Sequence, residues 1–218
     1  SYSVTGVQTC ALPISDRIEG FDVFPTGVGE GDTNDPIVSR VCQNFLETYA
    51  ERKPFLMVVN FLQPHDICFI RIDHKYHVPD ELPFEQLRDE LPPVPENLHS
   101  RPKAPGILDK IRFKELTNDM QWRYYSYVYH RQVEMLDADV GRVLDALGAS
   151  QMADNTLIVF TSDHGEELGE HGNVGKCLPY DGSLKVPLIF CLPGRVLAER
   201  IDDEHLVSGL DLMSTFCD

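Results

Sequence analysis

The stretch from Thr156 to Gly194, TLIVFTSDHGEELGEHGNVGKCLPYDGSLKVPLIFCLPG, constrains this chain more than any other. It opens on a short run of branched and aromatic residues, Thr156 to Phe160, which predicts a buried strand. The character then changes within one residue. Ser162, Asp163, His164 and Gly165 place a carboxylate and an imidazole at the strand's carboxyl end, and a loop punctuated by Gly169, Gly172 and Gly175 follows. A second apolar run, Val186 to Leu192, predicts another buried strand that stops at Pro193-Gly194. Ligands of open α/β sheets sit outside the carboxyl ends of strands. An Asp-His pair delivered there, with Lys176 one loop later, reads as a metal site beside an anion site.

The rest of the chain supplies a frame for that stretch. Asp35-Pro36 predicts an N-cap and a first helical residue, and Ile37, Val41, Phe45, Leu46 and Tyr49 recur at helical spacing, so a helix is expected over 36–52. Pro54 to Leu62, PFLMVVNFL, is continuously apolar, as suits a parallel strand covered on both faces, and it ends in Gln63-Pro64-His65-Asp66. Residues 71–117 are Pro-rich and aperiodic, an irregular excursion with one short helix expected near Phe84 to Asp89. Val128, Val133, Leu136, Val140, Val143, Leu144 and Leu147 form one stripe, which predicts a helix from Asp119 to Leu147 stopping at Gly148. Helix, strand, long loop, helix, strand, loop, strand predicts an α/β fold: a mainly parallel sheet with helices on both faces.

Composition removes several classes of function. The formal net charge is −16, which argues against a nucleic-acid partner and against a polybasic membrane anchor. No apolar run is long enough to span a bilayer. Six cysteines are scattered without a Cys-x-x-Cys pair, so neither a zinc ribbon nor a disulfide framework is expected. Cys42 and Cys191 lie inside apolar patterns and are expected to be small buried hydrophobes. Residues 1–15, SYSVTGVQTCALPIS, carry no amphipathic pattern and are set aside as a non-native leader, with residues 16–218 expected to form one α/β domain.

TSDHGEELGEHG, then Lys176, Tyr180-Asp181 and LKVPLIFCLPG, in that order and spacing, resemble the sulfatases of the alkaline-phosphatase superfamily. The resemblance reaches back through the preceding helix to Gln63-Pro64-His65 and covers roughly residues 35–215. It implies that Asp163 and His164 are two protein ligands of a divalent cation. Calcium is the first expectation, although it prefers oxygen donors, with manganese or zinc in reserve. It implies that Lys176 contacts the sulfate oxygens. His65 is implied to bind the substrate's ester group and to help protonate the leaving alcohol. Many members carry a proline two residues after this histidine, where this chain has Ile67.

Other polar residues read as ordinary structure. His74 and His77 are expected on the surface, and His171 as loop-structuring or substrate-facing. Glu166, Glu167 and Glu170 are expected to be a solvated loop face, and Lys185 a strand-edge charge or a flank of the site. Trp122 and Tyr124, Tyr125, Tyr127 and Tyr129 are expected to pack rather than to form a sugar platform.

The resemblance also implies parts that lie outside this chain. Family members attack with a formylglycine made from Cys or Ser in Cys/Ser-x-Pro-x-Arg, and they use an amino-terminal Asp-Asp metal pair. Cys10 precedes Ala11-Leu12-Pro13-Ile14, with its Pro one place late and no Arg. The expectation is therefore a sulfuric ester hydrolase domain holding part of the metal shell and part of the anion pocket, without the attacking residue, and inert by itself. A sulfated small molecule or carbohydrate is the implied substrate. A periplasmic, extracellular or lysosomal setting is typical of the family, whereas the chain's own localisation and oligomeric state are not legible. Two other readings remain open: a phosphodiesterase or phosphonate monoester hydrolase of the same superfamily, and a non-catalytic metal-binding module.

Overall fold

The computed structural model describes residues 2–5, 22–24, 29–51, 53–72, 78–79, 81–82, 84–100, 116–176 and 178–217. His74 and His77, expected on the surface, lie outside the described residues, as does most of 1–15. Strand β1 (Tyr2–Thr5) nevertheless lies within the set-aside segment, and it pairs parallel with β2 (Asp22–Val23) and β3 (Phe55–Val58). The register puts Tyr2 opposite Phe55 and Thr5 opposite Val58.

Helix α1 (Gly31–Thr48) starts earlier than the sequence predicts. Asp35 is not its N-cap: Glu30 holds that position, in an extended backbone conformation. Pro36 falls in the second turn, where it forfeits one backbone donor. A four-residue helix α2 (Phe69–Ile72) follows the 3₁₀ turn His65–Cys68, and the expected short helix near Phe84 is a 3₁₀ turn, Glu85–Asp89. Helix α3 (Asp119–Gly148) has the predicted bounds because Asn118 caps it, its side chain accepting from Gln121 N at 3.0 Å.

The Thr156–Gly194 stretch folds as a set of short elements. Strand β4 (Ile158–Thr161) carries the Asp-His pair past its end, and β5 (Glu167–Leu168) pairs antiparallel with β6 (Val174–Gly175). A single-turn helix α4 (Asp181–Leu184) leads into β7 (Leu188–Cys191). β7 runs antiparallel to β4, with Ile158 opposite Cys191 and Thr161 opposite Leu188. A parallel return would need a crossover of a dozen or more residues along the sheet. The chain stays instead at the carboxyl end of β4, and one helical turn is too short to carry it back. A final helix, α5 (Asp211–Cys217), has no buried residues.

Two apolar clusters hold these elements. Leu46 of α1 and Ala146 and Leu147 of α3 are buried together, with Phe55 and Met57 of β3 and Ile158 of β4 packed against them. The second cluster lies under the loops: Ile67, Ile70, Val78, Leu98, Trp122, Tyr125 and Val174. Tyr125 is 0% exposed and Trp122 5%, so the aromatic start of α3 packs, as expected. This cluster also explains why the Pro-rich excursion is ordered around Leu91 and Leu98. Leu98 joins the cluster, and the Arg123 guanidinium donates to the carbonyls of Leu91 at 2.6 Å, Pro92 at 2.9 Å and Arg88 at 3.2 Å.

Several acids are buried. Asp139 of α3 accepts from Ser39 Oγ of α1 at 2.6 Å, and Arg142 donates to the same hydroxyl at 3.2 Å, which locks the two long helices together. Burial pushes Asp35 up to about 6, against the opposing hydrogen bonds from Leu62 and Gln63. Glu167, expected in a solvated face, is 1% exposed, and burial pushes it up to about 7. Its neighbours in that expectation are engaged too: Glu166 accepts from Tyr125 OH at 3.2 Å, and Glu170 accepts from Leu168 N at 2.7 Å. The three glutamates fold inward because β5 runs across the aromatic start of α3.

Replacing Trp122 by Ala should destabilise the chain by about 3–5 kcal/mol in urea unfolding, whereas Leu144→Ala, at a half-exposed helix position, should cost much less. Equal losses would show that the cluster under the loops is not a core. The buried acids set a pH dependence. Asp35 and Glu167 have folded values above their ordinary 3.8 and 4.5, so the folded state binds more protons and stability falls as pH rises through about 6 and about 7. His65, whose proton affinity is lowered, acts in the opposite sense below its ordinary value. The melting temperature should therefore drop between about pH 5 and about pH 7.5, and Glu167→Gln should shrink that drop. An unchanged drop would contradict the buried placement of Glu167.

Candidate active site

His65 and Lys176 reach one place from opposite directions. His65 begins the 3₁₀ turn after β3, and its backbone N–H donates to Leu62 O at 2.9 Å. Lys176 directly follows β6, two residues after Val174, which is anchored in the cluster under the loops alongside Ile67. The Lys176 Nζ lies 2.8 Å from His65 Nδ1. An ammonium can only donate, so Nδ1 accepts and the proton of the neutral ring belongs on Nε2. Burial first, then the Lys176 ammonium and the neighbouring His164 imidazole, hold His65 below the usual histidine range, while Asp163 opposes them. The ring is thus neutral near pH 7, and all four side chains the sequence singles out share one electrostatic neighbourhood.

Asp163 and His164 occupy the bend beyond β4. The His164 backbone N–H donates to Asp163 Oδ1 at 2.9 Å, and Ser162 Oγ donates to His164 O at 2.7 Å. His164 Nδ1 lies 2.9 Å from Gly165 O, and since a carbonyl only accepts, Nδ1 carries the proton. That tautomer leaves the Nε2 lone pair for a ligand. Nε2 lies 3.6 Å from Asp163 Oδ2, a separation compatible with both atoms touching one ion through bonds of about 2.0–2.5 Å. The pair therefore fits a divalent cation as two of its ligands. Among the described residues there is no cluster of three or more His, Cys, Asp or Glu able to complete such a shell.

The loop that carries this bend is tightly backed. Gly165 N donates to Ser183 O at 2.8 Å, and a Cβ on Gly165 would lie 2.0 Å from Gly182 O, so only glycine fits there. Ser183 is 3.4 Å from buried Glu167. Lys185 pairs with Asp181 on the surface at 2.7 Å and stays a peripheral charge. His171 is held as a loop strut. Its Nδ1 donates to Ser100 O at 2.7 Å, its Nε2 lies 3.4 Å from Asn97, and its ring stacks at a tilt on Tyr180 with centroids 4.8 Å apart. His171 therefore fastens the Pro-rich excursion to the Gly-Glu-His-Gly turn.

Two expectations need correction. Cys42 is buried and its thiol is pushed up to about 11 by burial, but Cys191 is exposed, because it shares the outward face of β7 with exposed Ile189. Moreover, the chain does contain one Cys-x-Pro-x-Arg run, Cys191-Leu192-Pro193-Gly194-Arg195. Strand polarity keeps it away from the candidate site. Cys191 pairs with Ile158 at the start of β4, whereas Asp163 and His164 lie beyond Thr161 at its end. With about 3.3 Å per residue along a strand, the thiol lies more than a strand's length from the Asp-His pair. This cysteine is not placed to attack a group held there.

The sequence gives no hint of Asp35 as a contributor to this region. Its carboxylate accepts from Leu62 N and Gln63 N, both at 2.8 Å, just before His65. An Asp before a Pro reads as a helix cap, and only the fold shows the carboxylate turned toward another segment.

Comparisons with known proteins agree with this arrangement. The Sulfatase family model matches residues 11–218. The chain is 34% identical over 166 residues to iduronate 2-sulfatase of Homo sapiens, across 72% of this chain and 30% of that protein. A solved 2-O GAG sulfatase superposes with a TM-score of 0.70 at 24% identity, across 88% of this chain and 44% of that one. A phosphonate monoester hydrolase of Agrobacterium radiobacter superposes with a TM-score of 0.54 at 22% identity, across 78% and 35%. These superpositions establish the alkaline-phosphatase-like fold. The chain spans about a third of the length of the curated relatives it matches, 30% of one and 34% of another. With a family match running from residue 11 to the last residue, the chain belongs to the sulfatase family.

Proposed function

We propose that the chain carries the leaving-group side of the active site of a metal-dependent sulfuric ester hydrolase. The observation that carries this reading is the 2.8 Å contact between Lys176 Nζ and His65 Nδ1, beside Asp163 and His164. Lys176 presents a fixed positive charge to the oxygens of a sulfate group as negative charge builds on them. Its hydrogen bond to Nδ1 keeps the His65 proton on Nε2, the atom that donates to the departing alcohol oxygen. Asp163 and His164 hold the cation, with calcium preferred and manganese or zinc as alternatives. Such an ion would supply Lewis-acid neutralisation of a sulfate oxygen. The nucleophile, a formylglycine, belongs to the remainder of the whole protein, and the substrate class is a sulfated carbohydrate or small molecule.

A phosphonate monoester hydrolase is the second reading, supported by the superposition on such an enzyme. The pocket residues named above suit either tetrahedral oxyanion. Turnover of matched aryl sulfate and aryl phosphonate esters by the whole protein separates the two.

The chain alone should hydrolyse neither ester, and robust turnover by it would overturn the assignment of the nucleophile to the remainder. It should still bind. Titration with inorganic sulfate, followed by NMR, should perturb the rings and backbone at His65 and Lys176, and Lys176→Ala should weaken that response by about tenfold. Calcium titration should be lost in Asp163→Asn without loss of the fold. A sulfate response indifferent to Lys176 would sink the hydrolase reading.

A further inference from the structure

We propose that Asp35 and Asp66 are positioning residues for His65, a buried two-carboxylate clamp that sets the imidazole against Lys176. The inference deepens the hydrolase reading and rests on it for the role of His65.

β3 ends at Val58, so the backbone N–H groups of Leu62 and Gln63 lie beyond its ladder. Both are taken by one side chain: each donates at 2.8 Å to a different oxygen of Asp35, a residue of α1. His65 is built directly on this anchored pair, because its own N–H donates to Leu62 O at 2.9 Å. The residue after it is tied down as well. Asp66 Oδ2 accepts from Asp32 N at 3.2 Å and from Gln63 Nε2 at 2.7 Å. The segments on both sides of His65 are thus fastened to the first turns of α1. Close packing reinforces them, since a Cβ on Gly31 would lie 2.8 Å from Gln63 Cγ and 2.9 Å from Gln63 N.

The arrangement is costly for a mere scaffold. Asp35 is 1% exposed and Asp66 3%. Desolvation raises the proton affinity of both, and their negative charges repel each other. Buried ionic groups contribute little net stability compared with apolar packing, yet their directional bonds fix a conformation. Here the conformation fixed is the turn whose imidazole must meet an amine from a residue 111 positions away. A further buried acid, Asp139 of α3, accepts from Ser39 and pairs with Arg142 at the α1–α3 junction. Its charge also raises Asp35, so it serves as the comparison that removes a nearby negative charge while leaving the hydrogen bonds to Leu62 and Gln63 in place.

The test compares Asp35→Asn, Asp66→Asn and Asp139→Asn in the full 218-residue chain, with inorganic sulfate as the probe. The readouts are the ¹⁵N signature of the His65 ring, which reports Nδ1 as acceptor and Nε2 as protonated, and the sulfate affinity. Asp35→Asn presents an amide N–H₂ to one of two backbone donors. It should scramble the His65 tautomer signature and weaken sulfate binding by about tenfold or more. Asp139→Asn should lower the melting temperature while leaving both readouts as in the wild type. If Asp35→Asn fails to fold, Asp66→Asn, which loses acceptor charge on the far side of His65, should show the same two changes. A folded Asp35→Asn or Asp66→Asn with the wild-type ring signature would overturn the proposal, as would Asp139→Asn disturbing the ring equally. If the wild type ignores sulfate, the hydrolase reading fails separately, and the ring signature alone still decides whether the clamp positions His65.

Discussion

A hydrogen bond between Lys176 and His65 closes the candidate site, and most of the fold serves to make it possible. The two residues are separated by 111 positions, and neither lies on a long element. Each is carried by a short turn over the same apolar cluster, with Ile67 and Val174 two residues from the functional side chains. Side chains on loops are only as well placed as the packing beneath them. The aromatic start of α3, with Trp122 and Tyr125 fully packed, is therefore as much a part of the site as the ions it would bind.

The same logic explains why so many acids are inside an already acidic chain. Asp35, Asp66, Asp139 and Glu167 are each nearly inaccessible, and the partners that hold them are mainly backbone amides, amides of side chains and hydroxyls. Each costs desolvation energy, seen in the raised proton affinities of Asp35, Asp66 and Glu167. In return, each joins a loop or helix to another with directional bonds. The site gains geometry at the expense of stability, the trade expected where function requires fixed polar groups.

Much of this was legible in the chain itself, for physical reasons. Helix α3 has a long periodic stripe, an Asn cap and a terminal glycine, so its bounds follow from local chemistry. The Asp163-His164 bend follows an abrupt polarity change at a strand end, which fold rules make a natural ligand position. Other features depend on contacts between distant segments. Asp35 resembles a helix cap until Leu62 and Gln63 are seen above it. Glu167 sits in a run of acids and loops, yet its strand crosses α3 and is covered. β7 resembles one more parallel strand, because local sequence carries no record of the direction from which the chain returns. Cys191 illustrates the converse: its local motif suggests chemistry, and strand polarity removes it from the site.

The most direct measurement is a crystal structure of the chain soaked with calcium and sulfate. Anomalous scattering should place one cation against Asp163 Oδ2 and His164 Nε2, with a sulfate oxygen within hydrogen-bonding distance of Lys176 Nζ on the side where His65 stands. A sulfate bound elsewhere, with the Lys176 and His65 side chains turned to separate surfaces, would contradict the shared cation-and-oxyanion pocket and leave only the fold.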